Sequence, residues 1–168
     1  MGGAAMKKKA MRIRKARPGD LKEIMALVDS YEKHDSPYAL RYLNRYFAND
    51  NDPLLAKDRL FVTEINDETV GVCGYYLDHF VTDYSYWLSW FIVAPEYRGH
   101  HNGLVASRML SHLVKGLKGL KIRKVFVATL GSDGRAVKFY LKHGFELEAR
   151  LSDYYYRDED QLILGRYF

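Results

Sequence analysis

Apolar positions along the chain change period several times, and each change marks an element. Met11, Ile13 and Lys15 alternate with Arg12 and Arg14, which predicts a short first strand. Arg17-Pro18-Gly19-Asp20 is a turn, and Asp20 with Glu23 has the spacing of a capping box. Leu21, Ile24, Leu27, Val28 and Tyr31 then recur at helical spacing, giving a helix from Leu21 to Glu32. Ser36 as N-cap and Pro37 in the first turn open a second helix, with Ala39, Tyr42, Leu43, Tyr46 and Phe47 on its apolar face. After a polar loop at Asn49–Pro53, Leu60–Ile65 reads as a strand. Asn66-Asp67-Glu68 turns it, and Thr69–Leu77 returns as its hairpin partner. Asp78–Asp83 is a connection, and Tyr84–Val93 is a near-continuous apolar run that predicts a strand buried on both faces. Leu104–Leu117 carries a broad helical stripe, Val125–Thr129 a short buried strand, and Gly131–Gly134 a turn and helix cap. Ala136, Val137, Phe139 and Tyr140 open a helix that Gly144 closes; Phe145–Leu151 alternates as a strand, and Gln161–Phe168 is the last one. The order β-α-α-β-β-β-α-β-α-β-β predicts an α/β domain with one mixed sheet flanked by helices.

The chain has 168 residues, enough for one domain with a sizeable core, placed here at residues 11–168 behind a flexible start at 1–10. Lys plus Arg exceeds Asp plus Glu by 26 − 21 = 5, part of it Lys7, Lys8 and Lys9. So modest an excess favours an anionic ligand, and a nucleotide cofactor meets it as well as nucleic acid does. Lys115, Lys118, Lys121, Arg123 and Lys124 surround a helix end without any nucleic-acid-binding motif, and suit a solvated face. Cys73 is the only cysteine, which excludes an internal disulfide and fits a reducing cytoplasm. It lies in an apolar run, as a small core residue would. No stretch is apolar enough to predict a membrane span, and no apolar segment follows the first lysines to make a signal peptide.

The chemistry concentrates at Val93-Ala94-Pro95-Glu96-Tyr97-Arg98-Gly99-His100-His101-Asn102-Gly103-Leu104, between a strand and a helix. Backbone N–H groups at a helix start have no intrahelical partner, and with the helix dipole they suit a phosphate. Arg98 adds a permanent positive charge, and Gly99 and Gly103 permit close approach to the backbone. Val93, Pro95, Tyr97, Arg98, Gly99 and Gly103 resemble motif A of the GNAT superfamily of acetyl-CoA-dependent N-acetyltransferases. His101 stands where that pattern keeps its middle glycine. The resemblance covers about Met11–Phe168 and implies a mostly antiparallel mixed sheet, splayed at the acetyl-CoA site. It implies that Phe91, Ile92, Val93, Arg98, Gly99, His100, His101, Asn102, Gly103 and Leu104 bind the coenzyme. No metal site is expected.

Asp133, Ala136, Phe139, Tyr140, Gly144 and Phe145 resemble motif B of the same family, with Asp133 replacing the usual Asn. The resemblance places Asp133 near the pantetheine arm and Tyr140 by the coenzyme sulfur, as the catalytic acid. A thiol has a pKa near ~8.5, so a departing thiolate gains from a phenol able to give it a proton. Taken without the resemblance, Tyr140 is a packed aromatic beside Phe139. The two positions where relatives carry a basic glutamate hold Ser89 and Ala128 here. The base is left among His79, Asp83, Asp78, Asp153, a water relay, or a substrate amine that arrives neutral. Arg150, Tyr154 and Tyr155, followed by Asp158, Glu159 and Asp160, resemble the tail of ribosomal-protein alanine N-acetyltransferases, as a peptide groove with an acidic loop; an edge strand of packed aromatics with a solvated turn fits the same residues. The expectation is transfer of an acetyl group from acetyl-CoA to a primary amine, on a small molecule or a peptide N-terminus. The alternative is a coenzyme-A-binding module with weak or no catalysis. Neither nucleic acid nor membrane is an expected partner, and a second copy of the chain, as a homodimer, is compatible with the sequence.

Overall fold

The computed structural model describes residues 10–48, 55–78, 84–99, 103–120 and 122–168. Residues 1–9, the predicted loop at Asn49–Pro53, and His79, Asp83, His100, His101, Asn102 and Lys121 lie outside the described residues. The strands are β1 (Met11–Lys15), β2 (Arg59–Ile65), β3 (Glu68–Leu77), β4 (Ser85–Val93), β5 (Lys124–Leu130), β6 (Glu146–Tyr156) and β7 (Glu159–Tyr167). The helices are α1 (Leu21–Tyr31), α2 (Ser36–Ala48), α3 (Gly103–Lys118) and α4 (Gly134–Lys142). The strands form one open sheet in the order β1-β2-β3-β4-β5-β7-β6. β1–β2, β5–β7 and β6–β7 pair antiparallel, and β4–β5 pair parallel. The chain gathers into two compact units, one of Met1–Asn51, Leu60–Cys73 and Trp90–His112, the other of Asp52–Arg59, Gly74–Ser89 and Leu113–Phe168.

In the first unit, Ile24, Leu27 and Val28 of α1 and Ala39 and Leu43 of α2 pack with Leu60, Val62, Val72 and Ile92 from the strands. Burying each such side chain contributes about 1.5–3 kcal/mol. The Tyr46 hydroxyl of α2 accepts from the Leu60 N–H at 3.1 Å, satisfying a donor at the start of β2. Gly71 lets α3 lie close to β3, because a Cβ there would meet Met109 Sδ at 2.8 Å and the Ile92 carbonyl oxygen at 3.2 Å. Asn66 and Asp67 join β2 to β3 with φ of 54° and 65°, the left-handed pair that a tight hairpin turn requires.

The helix starts differ from the sequence expectation. Asp20 forms no side-chain cap on α1. Its carboxylate takes the Arg14 guanidinium at 2.8 Å and the Arg17 N–H at 2.7 Å, so a short 3-10 turn, Pro18–Asp20, leads into the helix. With these donors on its oxygens, the charged one the stronger, Asp20 is not left to cap α1. Ser36 likewise donates its hydroxyl to Asp29 and is the first residue of α2, behind a second 3-10 turn at Lys33–Asp35. Cys73 is fully buried, as expected, and burial pushes its thiol far above the ordinary range.

In the second unit β7 lies between β5 and β6 and pairs antiparallel with both. β6 runs on to Tyr156, five residues past the predicted end, and the pairing of Tyr156 with Glu159 leaves Arg157 and Asp158 as the turn. Its register shifts between Leu147 and Ala149 and again between Leu151 and Tyr156. Burial along β4 is not continuous: Tyr86 and Leu88 are buried while Ser85, Trp87 and Ser89 are half-buried, so two-sided burial holds only at Ile92 and Val93. The Tyr75 and Tyr86 rings meet edge to face at 5.6 Å on the face covered by the end of α3, where Gly116 lies against Tyr75.

Candidate active site

The loop after β4 is built on the core of the first unit. Ile92 and Ala94 are core residues, and the Ala94 N–H donates to the Val70 carbonyl at 2.8 Å. Pro95–Tyr97 then makes one 3-10 turn, with Tyr97 packed against the same core. Partial burial, Glu68 and Glu96 hold the Tyr97 phenol above its ordinary range, so it stays neutral. Arg98 is exposed, and its Nε donates to the Val93 carbonyl at 2.6 Å. Its guanidinium carbon lies 5.9 Å from the centre of the Tyr31 ring. Gly99 has φ of +96°, and a Cβ there would meet nothing within 4 Å. The demand for glycine is therefore conformational rather than steric. Gly103 is the first residue of α3, and Leu104 behind it is 62% exposed. Phe91 is half-buried, while Ile92 and Val93 are buried, so the last two offer a ligand only backbone. An exposed guanidinium, a left-handed glycine and a sixteen-residue helix starting at Gly103 are fit to receive a phosphate-bearing coenzyme.

One feature of β4 was invisible in the sequence. Trp90 has φ of +46°, a left-handed conformation inside a strand, which costs about 1–3 kcal/mol for a bulky residue. Its ring packs against Tyr42 of α2 at 6.1 Å, which helps hold it there. Just before it, the Ser89 hydroxyl oxygen is buried without a hydrogen-bond partner among the described residues. Among those residues the parallel ladder joins Ser85, Tyr86 and Trp87 to Lys124, Val125 and Phe126, while β5 continues to Leu130 with β7 as its partner. The ladder thus ends before Trp90, in keeping with a splayed sheet.

The second unit builds α4 from its N-terminus. Asp133 caps the helix, its Oδ1 accepting from the Ala136 N–H at 3.0 Å. Glu159, buried at the start of β7, accepts from the Ser132 N–H at 3.0 Å, and the Gly131 N–H donates to the Asp160 carbonyl at 2.9 Å. The Ser132 hydroxyl, and after it the Ser132 N–H, lowers the Glu159 titration, and the backbone contacts fix the turn that leads into α4. Tyr140 is 4% exposed, with its ring 5.3 Å from both Phe139 and Phe145. Both the packed aromatic and the motif tyrosine are thus the same side chain, held rigidly.

The acidic tail is neither a loop nor a solvated turn throughout. Asp160 takes the Asp153 N–H at 3.0 Å and the Arg150 guanidinium, and Asp153 Oδ1 accepts the Asp158 N–H at 2.7 Å. Asp153, a candidate base, is thereby engaged in shaping the hairpin. Tyr154, Tyr155 and Tyr156 stay exposed, as a contact surface would. Among the described residues, no group of three or more His, Cys, Asp or Glu is placed to hold a metal, and no helix is long and apolar enough to cross a membrane.

No curated protein matches the chain by sequence. Solved structures do match its fold. One, described as an acetyltransferase of the GNAT family from Desulfovibrio desulfuricans, is 21% identical with a TM-score of 0.81, over 94% of this chain and 99% of that one. A ribosomal-protein-alanine N-acetyltransferase from Brucella melitensis is 20% identical with a TM-score of 0.76, over 94% and 99%. A spermidine N-acetyltransferase chimera from Vibrio cholerae and a human sequence is 20% identical with a TM-score of 0.76, over 94% and 95%. A sequence model of the Acetyltransferase (GNAT) family matches residues 21–145, most of the chain, and with the mixed open sheet and the loop at Arg98–Gly103 in view, the chain belongs to that family.

Proposed function

We propose that the chain transfers an acetyl group from acetyl-CoA to a primary amine on a small molecule or a peptide N-terminus. The observation that carries this reading is the loop from Val93 to Gly103, with its exposed Arg98 and left-handed Gly99 in front of α3. Arg98 and the first N–H groups of α3 bind the pyrophosphate, and Gly99 keeps the backbone accessible. The bound coenzyme supplies an acetyl thioester. The amine nitrogen forms a bond to the thioester carbon, the C–S bond breaks, and the sulfur leaves with the electron pair. Tyr140 gives the departing sulfur its proton, the acylated nitrogen sheds one proton through water so that the Tyr140 phenol is restored, and a backbone N–H of β4 steadies the oxygen that gains charge.

Ser89 and Ala128 hold the positions where the family resemblance puts a basic glutamate, and Ser89 is a buried hydroxyl. The enzyme then relies on an amine that reaches the site already neutral. At pH 7 an α-amine of pKa near ~8 is neutral about once in ten molecules, and a lysine amine of about 10.4 roughly once in ~10³. That difference favours α-amines and other amines of low pKa. The same missing carboxylate favours, as a second reading, a coenzyme-binding module of low activity.

The test is a thiol-release assay with acetyl-CoA over small amines, polyamines and peptide N-termini, from pH 6 to 9. The expected result is turnover that climbs with pH toward the amine's own pKa. Coenzyme binding without turnover on any amine would establish the second reading, and a flat profile with a lysine-type substrate would reveal a base.

A further inference from the structure

We propose that the aromatic row Tyr76–Trp87–Phe126 is the acceptor platform, and that it selects an amine carried beside an aromatic or other flat apolar group. The inference rests on the acetyl-transfer reading above and names its substrate class.

The row crosses three neighbouring strands of the second unit. Tyr76 of β3 and Trp87 of β4 stack with centroids 6.5 Å apart and planes at 17°. Trp87 and Phe126 of β5 stack at 5.1 Å and 29°. All three are half-buried, whereas their strand neighbours Tyr75, Tyr86 and Val125 are buried on the opposite face. The rings are thus neither core nor fully wetted. Stacked rings with few rotors make a stiff, flat wall that loses little entropy when a ligand lies on it.

The ends of the row show what else it accepts. At the β5 end the Lys124 ammonium lies 5.0 Å over the Phe126 ring and 4.2 Å over the Tyr167 ring. It pairs with Glu148 at 2.6 Å. An ammonium over rings with a carboxylate beside it is thus already part of this face, an arrangement stabilised by the ring quadrupole. The same ingredients recur around Tyr76. Burial first, then the charges of Asp78 and Asp58 and the phenols of Tyr154 and Tyr155, push its phenol up to about 12. Of these causes, only the two carboxylates, Asp78 and Asp58, also favour a positive charge. Tyr154 and Tyr155 meet edge to face at 5.1 Å, and the Tyr155 hydroxyl accepts from Gln161 Nε2 at 3.0 Å. The hairpin therefore holds two further exposed rings in a set geometry. Rings dominate this surface, which suits a single ammonium on a flat carrier better than a chain of several charges.

Intrinsic fluorescence tests binding without catalysis, since Trp87 and Trp90 are the two tryptophans of the chain. Titration of the full chain with 2-phenylethylamine should give a saturable change that spermidine does not give. The change should vanish in Trp87→Phe while the calorimetric affinity for coenzyme A is kept. In the thiol-release assay, Trp87→Ala should shrink the preference for 2-phenylethylamine over spermidine by about tenfold or more, with the loss in KM. Equal use of both amines by the wild type, a preference for spermidine, or a preference that survives Trp87→Ala would overturn the platform and leave the acetyl-transfer reading standing. Absence of coenzyme binding would overturn that reading, while the fluorescence titration would still decide whether the row binds the amine.

Discussion

The side chain of Arg98 bends back on its own strand, its Nε giving a hydrogen bond to the carbonyl of Val93 at 2.6 Å. One donor of the guanidinium is spent on shape, and the terminal nitrogens make no hydrogen bond among the described residues. The fork is therefore held in position before a phosphate arrives. Lysine has no equivalent of the Nε–H, so Arg98→Lys keeps the charge and loses the orientation. Coenzyme affinity should fall by about tenfold in Arg98→Lys and further in Arg98→Ala, as a charged hydrogen bond worth ~1.5–3 kcal/mol would require. Calorimetry with coenzyme A measures both; unchanged affinity would move the pyrophosphate elsewhere.

Tyr140→Phe and Tyr140→Ala separate chemistry from packing. The ring is 4% exposed between Phe139 and Phe145. Removing the ring should cost about 3–5 kcal/mol, and removing only the hydroxyl about 1 kcal/mol. If the hydroxyl serves the leaving sulfur, the Phe variant should still lose about 10²-fold in turnover, with coenzyme affinity little changed. Wild-type turnover in that variant would leave Tyr140 a packing residue.

Asp20 ties part of the stability to pH. Hydrogen bonds from Arg14, and after them from the Arg17 N–H, hold its carboxyl below the ordinary value of 3.8. A folded-state value below the unfolded one contributes stability that is complete above the unfolded pKa and lost as pH falls through the folded one. Asp20→Asn should therefore be less stable than the wild type at pH 7, and the gap should close as pH drops below about 4. Urea unfolding at a series of pH values measures it, and a gap independent of pH would show that the pairing with Arg14 is not the cause.

Gly71 sets the distance between β3 and α3. An alanine Cβ would lie 2.8 Å from Met109 Sδ, a fully buried side chain, and 3.2 Å from the Ile92 carbonyl. Overpacking of this kind typically costs about 1–3 kcal/mol. Combining Gly71→Ala with Met109→Ala should cost less than the sum of the two, because the second change removes the main obstacle. Additive losses in thermal unfolding would mean that the backbone contact dominates.

Where burial has a period, the elements were legible in advance. β1, the two helices after it, the hairpin at Asn66-Asp67, α3, β5 and α4 all follow an in-and-out pattern that residue types record. β6 past Leu151 could not be seen, because every residue from Leu151 to Tyr156 is exposed and backbone pairing alone makes the strand. The motif residues of the loop were legible because Gly99 and Arg98 are demanded by conformation and charge. Trp90 was not, since nothing in its side chain asks for a left-handed backbone. The partner of Glu159 was hidden for another reason: folding brings it from 27 residues away, at Ser132, whereas Asp20 takes near neighbours, Arg14 and Arg17, that compete with the helix cap.

β6 closes one end of the sheet with eleven residues of strand, exposed along almost its whole length. A straight strand of that kind is a template on which another chain can polymerise. Here the extra residue near Glu148 and the left-handed Asp153, with φ of 50°, interrupt the edge. The longest uninterrupted register that β6 keeps with β7 is Ala149, Arg150 and Leu151, and Arg150 carries a charge there. The two kinks thus shorten the flat edge that this tyrosine-rich hairpin offers to another strand.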